Sequence, residues 1–189
     1  MAAPCMIAST WEDRKLAERT EGLVPGGTAA TTAQKVAGYL VFISQRHGDP
    51  ITNLKLQKLL YYAQGWHLAL CGRRLFREQI QAWLRGPVVY EVWQNYNSYR
   101  WRPITRRVRP PPMGDATRVY LNSLYAAYQD YSAYTLEQMT HNELPWQIAR
   151  RGLGNNEPST AIIPVKHIEA YFSGRMNAAR DGERLAFGR

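Results

Sequence analysis

The chain has few cysteines, and the two present do not make a disulfide framework. Cys5 lies in a stretch rich in Ala, Thr, Gly and Pro, and Cys71 closes a helical pattern, so no pair is placed to staple a small secreted fold. Long apolar runs are missing too. Nowhere do about 18 consecutive apolar residues occur, the length a membrane-spanning helix needs. The N-terminus carries Trp11, Glu12, Asp13, Arg14 and Lys15 where a secretory signal would be apolar. The expected compartment is the cytoplasm, with no membrane partner.

The groupings that chemistry requires are also scarce. No two of His47, His67, His141 and His167 stand four residues apart, and His67 with Cys71, which do have that spacing, are two residues short of a ligand set, so no metal site has the right spacing. No nucleophile elbow, phosphate loop or dinucleotide fingerprint appears, and Gly22 to Gly27 lacks the strand-then-helix context such motifs need. The expectation is a protein that is not an enzyme and holds no cofactor.

Acids are outnumbered, 15 against 24 Lys and Arg, for a net charge of +9. The excess is concentrated. Between Arg73 and Arg118 stand ten arginines against three acids, a net of +7. Such a segment attracts phosphate or an acidic protein face, or else forms a solvated arginine-rich surface. Phe is rare at four, while Tyr and Trp number twelve and six. Rings with a polar handle suit a Tyr-lined core or a protein contact surface. A hydrophobic fraction of 45% and a charged fraction of 21% are ordinary globular values, and a chain of this length buries about two thirds of its unfolded surface.

Residues 1–31 read as a tail or loosely attached segment, broken by Val24-Pro25-Gly26-Gly27. The domain is expected over 32–173, with 174–189 a frayed Arg-rich tail. Thr31 and Gln34 have capping-box spacing ahead of Val36, Tyr39, Leu40 and Ile43, which share one helix face. The clearest helix follows: Thr52 caps it, and Leu56, Leu59, Leu60, Ala63, Trp66 and Leu70 form an apolar stripe that stops at Gly72. Ile80, Ala82 and Leu84 then alternate with Gln81, Trp83 and Arg85 as in a strand. Pro87 suits the first turn of a third helix, with Val89, Val92, Trp93 and Tyr96 on one face. Arg100 to Pro112 reads as an extended surface loop. Helical spacing returns in Tyr120, Leu124, Ala127, Tyr128 and Tyr131, then from Thr135 with Gln138 as caps, and from Pro164 onward. The fold class is mostly α, a compact multi-helix domain with a short strand or small β-hairpin between the second and third helices.

The run Ile51-Thr52-Asn53-Leu54-Lys55-Leu56-Gln57-Lys58-Leu59-Leu60-Tyr61-Tyr62-Ala63-Gln64-Gly65-Trp66-His67, then Leu75-Phe76, then Ala82-Trp83-Leu84-Arg85-Gly86-Pro87-Val88-Val89 closely resembles the Panacea family of SocA-like, GepA-like antitoxins. Tyr134-Thr135-Leu136-Glu137, Thr140-His141 and Pro145-Trp146 continue the match, which runs in order from about Thr32 to Ile148. The motif residues are Leu56, Gln57, Lys58, Tyr61, Gly86, Pro87, His141, Pro145 and Trp146. The resemblance implies an antitoxin, phage-associated in some members, that neutralises a cognate toxin by direct contact. Members pair with unrelated toxins, and one acts as an adaptor that delivers its toxin to a cellular protease.

Physical reasoning divides the signature. Leu56, Leu59, Leu60 and Ala63 belong to the core. Lys58, Tyr62 and Gln64 fall off the apolar stripe and either face a partner or bond to the neighbouring strand. Trp83 and Arg85, with Tyr90 beside them, form a pairing that interface hot spots favour. His141 stands at a helix end, where it can serve the last free carbonyls or take a ligand role. The alternative function is a nucleic-acid-binding regulator that uses Arg73 to Arg118, with Arg100, Arg102, Arg106, Arg107 and Arg109 interleaved with Tyr99 and Trp101.

Overall fold

Thr52 starts the helix around which everything else packs: its side chain accepts the Lys55 N–H at 3.2 Å, and Gly72, left-handed at φ 63°, ends it. The structure, a computed structural model, describes residues 31–154 and 156–187. Seven helices are found among them. They are α1 (Ala33–Arg46), α2 (Asn53–Cys71), α3 (Tyr90–Tyr96), α4 (Asp115–Tyr128), α5 (Ala133–His141), α6 (Leu144–Ala149) and α7 (Val165–Phe187). Strands β1 (Gln81–Trp83) and β2 (Gly86–Val88) form an antiparallel hairpin between α2 and α3. The mostly helical class with a small hairpin is as the sequence indicated. The expectation for the N-terminal tail falls outside the described residues, apart from Thr31.

Every residue from Lys55 to Leu68 is buried. Helices α1, α3, α4, α5 and α7 and strand β2 all contact α2, so its central stretch is enclosed. An aromatic core packs along it. Tyr62 stacks on Tyr128 at 4.4 Å, and Phe172 meets Tyr61, Tyr62 and Trp66 with centroids 5.2–6.1 Å apart. Two of the polar ends bond within the core: Trp66 donates to the Tyr128 hydroxyl at 2.8 Å and Tyr120 to the Ala63 carbonyl at 2.6 Å. Gly65 permits this packing. A Cβ there would lie 2.3 Å from two ring carbons of Phe172.

Several boundaries shift, each for a local reason. Thr32, not Thr31, caps α1 by accepting the Lys35 N–H. Ser132, not Thr135, caps α5. Pro87 lies in β2 instead of opening α3, which begins after Val89. The largest correction is at the C-terminus. α7 runs to Phe187, and Ile168, Phe172, Met176 and Ala179 continue one buried face past the expected end of the domain. Arg175 lies among them as half of a buried ion pair, its guanidinium 3.2 Å from Glu143, with side-chain exposures of 5% and 4%. It also lies over the rings of Trp66, Tyr171 and Phe172, so this arginine is core and not tail.

Candidate functional site

Four polar side chains on α2 hold the backbone of the segment that follows it. Gln64 accepts from the Leu75 and Phe76 N–H groups and donates to the Phe76 carbonyl. Gln57 accepts the Val89 N–H at 2.9 Å, and Lys58 donates to the Pro87 carbonyl at 3.1 Å. Asn53 donates to the Trp93 carbonyl. Lys58, Tyr62 and Gln64 are therefore turned into the fold and fully buried, with no surface to offer a partner. Tyr62 instead donates to Glu143 inside the core.

The hairpin they support closes through Leu84 and Arg85, with Trp83 paired to Gly86. Gly86 has φ +90°, and a Cβ there would come within 2.6 Å of Lys58 Nζ and 2.7 Å of Thr140 Oγ1. On its other side the hairpin is clamped by the end of the motif. Trp146 donates to the Trp83 carbonyl at 2.9 Å, His141 stacks on Trp146 at 4.2 Å, and Arg150 lies over that indole while donating to the Ala82 carbonyl. Pro145 is buried in the first turn of α6. Leu56 and Tyr61 lie in the core. The family motif is thus a mount for a short β-hairpin.

Burial lowers the Lys58 ammonium to about 7, against the pull of the Glu137 carboxylate and with some help from Arg85. An unfolded lysine keeps its proton to about pH 10.4, so between these values the unfolded chain binds more protons and stability rises with pH. Burial raises Tyr61, Tyr62 and Tyr120 well above the ordinary tyrosine value, which makes stability fall again above about pH 10. Urea midpoints are expected to climb from about pH 7 to about pH 9.5, and Lys58→Met is expected to flatten that climb. A wild-type midpoint that is flat or falling over this range would count against the buried charge.

At the tip the hairpin presents a groove of about 430 Å³ walled by Trp83, Trp93 and Trp101, with Leu84, Arg85 and Arg100 at its edges. Trp83 and Trp93 lie 5.0 Å apart, and Tyr90 stacks on Trp93 at 6.0 Å. The Arg85 guanidinium sits 4.6 Å over Trp101, itself 63% exposed, and its other side faces the buried Glu137 at 3.6 Å. Two further hollows, beside Trp146 and beside Pro158, also border Leu84. Of the residues expected to meet a partner, Trp83, Arg85 and Tyr90 gather here. Leu84, expected inward, is exposed because the chain reverses at it. Trp93 was expected on a core face and Trp101 on a nucleic-acid surface; both are groove walls. Their signal was a tryptophan density around short polar elements.

The arginine-rich loop is fastened down. Ile104 pairs with the Ile51 carbonyl, and Gln45 bonds the backbone of Ile104, Arg106 and Val108. Arg100, Arg102, Arg106, Arg107 and Arg109 are all exposed on it. Among the described residues no group of three or more His, Cys, Asp or Glu is placed to hold a metal ion, and no helix is long and apolar enough to cross a membrane.

The family model described as "Antitoxin SocA-like, Panacea domain" matches residues 56–147, which span α2, the hairpin and the Trp146 clamp. Over that segment the chain is similar to the SocA-like Panacea family. It is similar to Antitoxin SocA of Caulobacter vibrioides (strain NA1000 / CB15N), 28% identical over 137 residues that cover 66% of this chain and 73% of that protein. No solved structure matches. These similarities support an antitoxin role, and the matched segment includes the mounted hairpin.

Proposed function

We propose that this protein is a cytoplasmic antitoxin of the Panacea type that neutralises a cognate toxin by direct contact, without catalysis, and that the groove at the hairpin tip is the contact. The observation behind this is the open tryptophan-walled groove, whose accessible rings and paired arginine have the make-up of interface hot spots. Its walls sit on a backbone held by buried side chains, so little ordering is required on binding. Co-expression with the product of the adjacent reading frame is expected to restore growth and yield a co-purifying pair. Trp83→Ala or Arg85→Ala is expected to weaken the complex by about 2 kcal/mol or more in calorimetry. Growth inhibition that persists, with no pair recovered, would contradict the reading.

A further inference from the structure

The rim of the groove carries charge of one sign. Arg85 and Arg100 are the charged residues that line it, and both are exposed. Glu137, the acid that reaches Arg85, is buried beneath the rim. Arg100 is also unusual in its backbone. It has φ 53° and ψ −111°, the values of the first central position of a type II′ turn, which glycine normally fills. The Arg102 N–H donates to the Tyr99 carbonyl at 2.9 Å and closes that turn. Among the described residues Arg100 is the one non-glycine with positive φ. Strain of this kind is kept where the side chain has a use at that corner, and here the corner projects Arg100 beside the widely exposed Trp101.

We infer, resting on the reading that this groove is the toxin contact, that it receives an acidic segment of the partner. One large apolar side chain enters between Trp83, Trp93 and Trp101, and carboxylates on either side pair with Arg85 and Arg100. Guanidinium groups take carboxylates in bidentate pairs, and an apolar wall beside them strengthens the attraction. The rings argue against a nucleic-acid strand. Base stacking needs free faces, whereas Trp93 is stacked on Tyr90 and packed against Trp83, and Trp101 is covered on one side by Arg85.

The test uses the full chain and the product of the adjacent reading frame. Arg100→Gly removes the side chain and relieves the strained turn, so its melting temperature should hold or rise while affinity falls about tenfold or more. Arg100→Glu should weaken binding about a hundredfold, and at least one Asp/Glu→Lys change in the partner should restore it. If the complex forms but folded Arg100→Gly and Arg100→Glu bind like the wild type, or no charge reversal restores binding, this inference falls while the antitoxin reading stands. Failure of the wild-type chain to bind overturns both. A single-stranded oligonucleotide of about 20 bases that binds at physiological salt and competes with the partner would assign the groove to nucleic acid instead.

Discussion

Arg175→Ala is expected to lower the stability of the domain by about 3–5 kcal/mol. The change removes the cation that faces Glu143 at 3.2 Å in a site where both side chains are almost fully enclosed. It also empties the space over Trp66, Tyr171 and Phe172. Three parts of the fold meet at this pair. Glu143 stands at the start of α6 and accepts the Tyr62 hydroxyl from α2, and Arg175 comes from α7. Equilibrium urea unfolding measures the loss directly. The double change Arg175→Met with Glu143→Gln should recover much of it, because neither buried charge then lacks its counterpart. A loss below about 1 kcal/mol in the single variant would mean that the pair sits in solvent more than its geometry indicates.

Gly86→Ala is expected to destabilise by about 2–4 kcal/mol and to weaken partner binding as well. Two effects add at this position. A side chain is strained at φ +90°, and the new methyl would fall within 2.6–2.9 Å of the Lys58 ammonium end and 2.7 Å of Thr140 Oγ1. Neither neighbour has room to withdraw: Lys58 is fully buried and tied to the Pro87 carbonyl, and Thr140 donates to the Glu137 carbonyl. The turn must therefore lift, carrying Trp83 and Arg85 with it. Leu84→Ala, an exposed change two positions away in the same turn, should shift the urea midpoint little. Equal losses in the two variants would contradict the account of Gly86 as a fitted contact.

Elements were legible wherever local rules decide them. Thr52 and Gly72 bound α2 as their cap chemistry requires, and the motif order pointed to the family now supported by the match to residues 56–147. What the sequence hid was position relative to distant elements. Lys58, Tyr62 and Gln64 read as off-stripe because a stripe assumes one buried face, whereas contacts with five helices and a strand bury every residue of α2 from Lys55 to Leu68. Arg175 read as tail because an arginine's ion-pair partner 32 residues away leaves no local mark. The groove was half visible. Trp83 and Arg85 were identified from strand alternation, but Trp93 and Trp101 join them only through the hairpin turn and the closed turn at Arg100.

The central claim, that the hairpin tip is the contact, is tested most directly by hydrogen–deuterium exchange on the complex with the product of the adjacent reading frame. Slowed exchange is expected in peptides covering the Leu84–Arg85 turn and the segment from Asn97 to Arg102, with α4 unchanged. Protection confined to α4 or to the Arg106–Arg109 stretch, with the tip and Asn97 to Arg102 exchanging as in the free chain, would contradict it.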